Sequence, residues 1–322
     1  MNTSKLTQRL HKYKEKHNID TIEIGIVENG VITKISTNGN IESNAFQIAS
    51  ITKIFTALII SIAVKEKLLS FNTTIAQIYK QRHSTFGALG NITIHELLTH
   101  CSGLPRIPAE LMNIMKHDLN NPYNLISKDD VWQYLLSNPT IGVKKYSYSN
   151  FGYGLLSIII EDVYSQSYNT ILKSKIFDVL HMDSSSINPQ QNNSKLIIQG
   201  YNNLNVHTPV WQDNALSGAG AMISTLDDFI KFINAHFVAN PLNEILASQF
   251  VVQSKQMCLG WHRQGFLGRL SGLGKYMWHN GTVGGYSSYA AINLVKQKGL
   301  IILANKGLII DDLGYLALSY LN

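Results

Sequence analysis

Strand-forming sequence lies at the two ends of this chain and helix-forming sequence fills its middle, a distribution that limits what the chain can fold into. Near the start, Leu6 to His17 has a weak helical period and Thr21 to Val27 is rich in alternating β-branched residues. Asn29-Gly30 then offers the two positive-φ positions of a tight hairpin, and Val31 to Ser36 reads as the returning strand. Near the end, Gln256 to His262, Lys275 to His279, Gly285 to Leu294 and Gly299 to Asn305 read as strands, and Asp311 to Leu321 as a closing helix. Between these ends, Thr93 to His100, Lys128 to Leu136, Asn150 to Val163 and Thr170 to Leu180 carry helical patterns separated by polar loops. The two ends must therefore share one sheet, and the short turns between the late strands make it antiparallel. The expected fold class is α/β of the α+β kind: an antiparallel sheet flanked by helices, with a mostly helical region inserted. In domain terms, residues 1–70 and 218–322 are expected to form a discontinuous sheet domain and 71–217 a helical one, with the active site between them.

At 322 residues, 45% of them hydrophobic, the chain can fill a large core, and its low charged fraction of 15% argues against disorder. A formal charge of +6 would suit nucleic acid, but Lys and Arg never cluster in a run of five, so a basic, solubilising surface is the reading and no nucleic-acid partner is expected. The two cysteines, Cys101 and Cys258, lie far apart without a CxxC, so neither a zinc site nor a disulfide framework is indicated, and no metal or organic cofactor is expected. Apolar runs such as Ile54 to Val64 are shorter than the roughly 18 residues a membrane span needs. The first residues are polar through Asn18 and lack the pattern of a signal peptide, so the chain as written reads as cytoplasmic. Nothing in the sequence specifies an oligomeric state.

Three short patterns carry chemistry. Ser50-Ile51-Thr52-Lys53 heads the long apolar stretch Ile51 to Leu69, expected as a buried helix. On a helix this spacing sets the hydroxyl and the amine on one face, one turn apart. A serine at a helix start meets free N–H groups and the positive dipole end, and a lysine in an apolar pocket is depressed toward its neutral form. Alone, S-x-x-K more often means a capping serine and an exposed lysine; here it is the chain's only copy and leads its most apolar helix. The second pattern is Tyr148-Ser149-Asn150, ahead of a Gly152-Tyr153-Gly154 turn; a nearby lysine draws a tyrosine toward its phenolate, so Tyr148 is the expected general base for Ser50 and then the donor of that proton to the leaving group. Tyr201-Asn202-Asn203 matches equally well but stands in an Asn-rich loop and is read as a decoy. The third is His279-Asn280-Gly281-Thr282, a strand running into glycines where backbone must approach a ligand, with the Thr282 N–H expected to join that of Ser50 in an oxyanion hole.

Together the three patterns resemble the class C β-lactamase and penicillin-binding protein family, with its D-amino-acid peptidase and family VIII esterase relatives. The resemblance runs from about Phe46 to the C-terminal helix, and Leu97 to Pro105 and Gly218 to Thr225 are also similar to recurring family segments. It implies a β-lactamase/transpeptidase-like fold and acyl transfer through a serine ester. Ser50, Lys53 and Tyr148 would be catalytic, Ser50 and Thr282 would form the oxyanion hole, and Asn150, His279, Asn280 and Gly281 would bind a small-molecule or short-peptide substrate. His279 stands where β-lactamases of the class carry lysine, which implies a weaker hold on a substrate carboxylate and favours simple esters over cephalosporins. The rivals are a D-alanyl-D-alanine carboxypeptidase or other D-amino-acid peptidase, and a non-catalytic peptide-binding relative, which the complete motif set argues against. Family members mostly act outside the cytoplasm, in the periplasm or beyond the cell.

Overall fold

The apolar alternation of the late strands continues on both faces of a six-stranded sheet. Its strands run in the order Val31–Ser36, Ile22–Glu28, Lys298–Ala304, Tyr286–Asn293, Met277–Val283 and His262–Arg263, each antiparallel to its neighbours. The first strand of the chain is thus zipped to the last, with Ile24 opposite Ile302 and Ile302 opposite Tyr289. The computed structural model describes residues 3–39, 44–80, 86–189, 196–212, 215–251, 253, 256–263 and 276–321.

Period-2 geometry sends Leu300, Ile302 and Ala304 to one face, where they pack with Leu6 and Leu10 of the helix Thr3–His17 and Leu313 and Ala317 of the helix Asp311–Ser319. Ile301 and Leu303 point to the other face, into a larger cluster with Phe229 and Ile230 of the helix Leu226–Asn234 and Phe55 of the helix Thr52–Lys65. With both faces covered, the strands read as unbroken apolar runs, and each fully buried Leu or Ile contributes about 1.5–3 kcal/mol relative to exposure.

The helix Thr52–Lys65 is buried from Thr52 through Ala63, the signature of a central helix. It stops short of Leu69 because Lys67 takes φ 61 and the Leu68 amide turns back to the Ala63 carbonyl. Around it stand the helices Lys128–Leu136 and Asn150–Tyr164, and the helical path from Tyr168 to Leu180, which passes through a π turn at Lys173–Phe177.

Two expectations are corrected. Gly152-Tyr153-Gly154 is no turn; it lies inside the helix Asn150–Tyr164, which starts earlier because the Ser149 side chain caps it by accepting the Gly152 N–H at 2.9 Å. Of the expected strand Gln256 to His262, Met257 to Trp261 form no strand beyond an isolated bridge between Met257 and His262, and the strand begins only at His262. Gly260, at φ 77, turns the chain against Ile54 and Ala57, which breaks the extended run before it can pair. Lys275 lies outside the described residues. Both cysteines are free thiols, and no described helix is long and apolar enough to cross a membrane.

Candidate active site

Ser50 sits in a single 3-10 turn, Ala49–Ile51, that feeds the central helix. The turn is strained: Ala49 is a non-glycine residue at φ 50, a conformation that costs of order 1–3 kcal/mol and persists only when its surroundings enforce it. The surroundings do. The Met222 carbonyl accepts the Ile48 N–H at 2.9 Å, Thr52 Oγ1 donates to the Ala49 carbonyl at 2.7 Å, and Ser288 Oγ donates to the Ile48 carbonyl at 2.7 Å. From the sheet side, Gly281 presses so close that a Cβ there would lie 2.6 Å from the Ile48 oxygen and 2.9 Å from the Ala49 Cβ. The result is a half-buried serine at the base of a cleft.

One helical turn on, Lys53 is completely buried. Its Nζ lies 3.2 Å from Ser50 Oγ and donates to Asn150 Oδ1 at 2.9 Å and to the Ala219 carbonyl at 2.6 Å. Burial, reinforced by the Arg106 guanidinium, holds its pKa well below the usual ammonium range.

Tyr148 comes to Ser50 from the loop ahead of the helix Asn150–Tyr164, and its hydroxyl is in hydrogen-bonding contact with the serine. Burial pushes the phenol up, against the opposing pull of the Ser50 hydrogen bond and of Arg106, so it rests as a neutral phenol. Lys53 Nζ stands 4.9 Å from the centre of its ring. Asn150 links the parts: its Oδ1 accepts from Lys53 and its Nδ2 donates to the Tyr123 hydroxyl at 3.0 Å.

The third pattern divides along its strand. In Met277–Val283, His279, Gly281 and Val283 are buried while Thr282 is exposed. Thr282 lines the cleft beside Ser50, but its hydroxyl donates to the Leu308 carbonyl at 3.3 Å, which leaves only its backbone for a bound oxyanion. The Asn280 amide turns away and donates to Asp311 of the C-terminal helix at 2.7 Å. The expectation that its side chain meets substrate is therefore corrected: strand alternation sends it to the far face. Gly281 is likewise explained by packing against Ile48 and Ala49, not by a ligand. His279 is 1% exposed; its ring lies 6.5 Å from that of Tyr148 and 4.7 Å from that of His262. Burial, with His262 and Lys53 nearby, drives its pKa well below the usual histidine value. Tyr201 pairs with His207 in a separate two-stranded ribbon and does not line the cleft.

The cleft, about 160 Å³ and open on one side, is lined by Ser50, Asn150, Thr282 and Gly220 together with residues that motif reading missed, among them Arg106, Tyr123 and Trp211. Tyr123 and Trp211 stack with ring centres 5.1 Å apart, and Gln47 fixes Trp211 by bonds to both its N–H and its carbonyl. Arg106 stands with its Cζ 5.1 Å from the centre of the Tyr148 ring and has no carboxylate partner among the described residues. It immediately follows the Leu97–Pro105 segment, the one signal that could have found it. The same segment supplies the Pro105 carbonyl that accepts from Ser149 Oγ, while Gly218 to Thr225 supplies the Ala219 carbonyl that holds Lys53. Among the described residues, no group of three or more His, Cys, Asp or Glu is placed to hold a metal.

Solved structures share this fold. A class C β-lactamase from Rhodobacter sphaeroides superposes with a TM-score of 0.79 at 19% identity, over 98% of this chain and 97% of that one. A D-alanine carboxypeptidase AmpC from Burkholderia cenocepacia does so at 0.80 and 18%, over 99% and 97%. By sequence, Protein flp of Staphylococcus aureus is 28% identical over 276 residues, which is 81% of this chain and 52% of that protein. The chain spans about half the length of the curated relatives it matches. The family profile described as Beta-lactamase matches residues 6–317, nearly the whole chain, and the protein belongs to the beta-lactamase family.

Proposed function

We propose that this protein is a serine hydrolase that cleaves an ester or amide through an acyl-enzyme on Ser50. The observation that carries the reading is the environment of Lys53. A neutral lysine amine has two hydrogens and one lone pair. The hydrogens are taken by Asn150 Oδ1 and the Ala219 carbonyl, so the lone pair is left for the Ser50 hydroxyl. Lys53 then accepts the serine proton as Oγ adds to the substrate carbonyl carbon, and the oxyanion meets the N–H groups of Ser50 and Thr282. Tyr148, neutral at rest, gives its proton to the departing oxygen or nitrogen, and the proton held on Lys53 restores the phenol. Water repeats the addition in the second half-reaction, releases the acid and returns the proton to Ser50. Tyr148 thus serves first as a proton donor, with Lys53 as the base.

The cleft opens to solvent beside Ser50, which suits a small molecule or a short peptide that reaches in from outside. One observation favours the carboxylate-bearing substrates of the peptidase alternative over simple esters. The missing third-motif lysine does not leave the cleft without a cation, because Arg106 is the only charged residue among those lining it. A planar guanidinium suits a carboxylate, and a charged hydrogen bond of this kind is worth about 1.5–3 kcal/mol. The test of the main reading is treatment with a fluorophosphonate followed by peptide mapping. One adduct on Ser50, abolished in Ser50→Ala, is expected; an adduct on another serine, or none, overturns the assignment.

A further inference from the structure

Nothing above explains what keeps Tyr148 aimed at Ser50. The tyrosine sits in a stretch with no regular structure, and its neighbours Ser147 and Ser149 present main-chain N–H groups on either side of it. Both are taken by one residue. The His100 carbonyl accepts the Ser147 N–H at 2.8 Å, and the His100 imidazole Nδ1 accepts the Ser149 N–H at 3.1 Å. The same imidazole packs against the phenol ring, 4.5 Å between centres and tilted by 35°. We propose that His100 is the positioning residue for Tyr148, gripping the main chain before and after the tyrosine while its ring supports the phenol.

The local geometry of His100 is that of a residue held for a purpose. It adopts φ 57, a left-handed conformation uncommon for a histidine, and is 1% exposed. That backbone turn lets one residue offer its carbonyl and its side-chain acceptor to two amides two residues apart. Tyr153, one helical turn beyond the loop, closes the arrangement: its ring lies 4.9 Å from the imidazole and its hydroxyl donates to the Leu98 carbonyl at 2.8 Å. Nδ1 can accept only while it carries no proton, so the grip needs the neutral ring with its hydrogen on Nε2. Burial and the neighbouring Lys53, His262 and Arg106 all favour that neutral form. His100 touches no reacting atom; it acts through Tyr148.

The proposal rests on the hydrolase reading only for its choice of assay. His100→Gly keeps the left-handed backbone and the carbonyl but removes the imidazole, whereas His100→Asn tolerates the same backbone and restores a side-chain oxygen acceptor. With p-nitrophenyl butyrate as probe, His100→Gly is expected to lose about 100-fold in kcat with KM changed less than about threefold, the usual cost of a misplaced group. His100→Asn should recover to within about tenfold of the parent. If the glycine variant does not fold, His100→Asn still decides, and a folded asparagine variant with kcat below about a tenth of the parent's overturns the proposal. Hydrogen exchange of the peptide spanning residues 145–150 should accelerate in the acceptor-less variant and slow again in His100→Asn. A folded acceptor-less variant with parental kcat, an asparagine variant no better than it, or unchanged exchange overturns the proposal. A parent that neither hydrolyses the ester nor takes label on Ser50 sinks the hydrolase reading instead, and the exchange comparison then decides the role of His100 alone.

Discussion

The helix Thr52–Lys65 and the strand Met277–Val283 both bear on the turn that carries Ser50, yet they contribute different things. The helix, with the loop and helix around Tyr148 and Asn150, sends side chains to the serine: an amine, a phenol and an amide within one hydrogen-bonded set. The strand sends almost none. Its His279 is shut behind Tyr148, its Asn280 is bonded to Asp311, and its Gly281 is a surface for Ile48 and Ala49 to rest on. The helical wall supplies the titratable side chains and the sheet wall supplies shape and backbone. The physical reason is the period of each element: a helix returns the side chain three residues on to the same face, whereas a strand alternates and gives every second residue to the far side.

Substitutions can break this contrast, and the largest effect belongs to the helical wall. Ser50→Ala or Lys53→Met should lower kcat/KM for an activated ester by about three orders of magnitude or more, and the double variant should be little worse than either, because groups acting as a unit are not additive. For the parent, kcat/KM should already be on its plateau at pH values where an ordinary lysine is still protonated. It should fall only as acid reprotonates the depressed Lys53, since the ammonium cannot take the serine proton. A pH profile with its inflection in the ordinary lysine range would assign the base elsewhere.

On the sheet wall the expected losses are of fit. Gly281→Ala puts a Cβ 2.6 Å from both the Ile48 oxygen and Ser288 Oγ, so the strand must back away from the strained turn. Overpacking of this kind costs about 1–3 kcal/mol, read as a lower Tm, and a tenfold or greater loss of turnover should accompany it. Unchanged Tm and turnover would show that the turn tolerates a looser sheet edge.

A smaller effect belongs to Arg106, the exposed cation that lines the cleft. Arg106→Gln should lower kcat/KM about 10- to 100-fold for an ester whose leaving group carries a carboxylate, and leave a neutral ester nearly unchanged. Equal loss on both would mean that Arg106 acts on Tyr148 and not on substrate. The companion test is His279→Lys, which, with position 279 buried, should not improve carboxylate substrates and should instead destabilise the fold by burying a charge. Smallest is Asn280→Ala, expected to cost about 1 kcal/mol of stability through the lost bond to Asp311 while leaving kcat/KM unchanged. A clear loss of kcat with normal Tm would return Asn280 to the substrate site.

Much of this was legible in the residues themselves. Local pattern was enough for the hairpin at Asn29-Gly30, the helix at Lys128–Leu136 and the sheet's late strands, because each is set by period and by turn chemistry within a few residues. The Ser50–Lys53 pairing is equally local, one helical turn apart. What no local pattern contains is which face of a strand meets the cleft, so the motif alone does not show that the Asn280 amide turns to Asp311. Nor does the chain order reveal that Arg106, Tyr123 and Trp211 converge on Ser50, or that His100 brackets Tyr148 from 48 positions upstream, since those meetings are made only when the central helix is buried and the loops close around it. The sequence alone determined the chemical groups and the elements that carry them. Tertiary structure decided which groups face one another, and through burial it shifted their titration, the Lys53 amine downward and the Tyr148 phenol upward, because desolvation by distant parts of the chain disfavours the charged form of each.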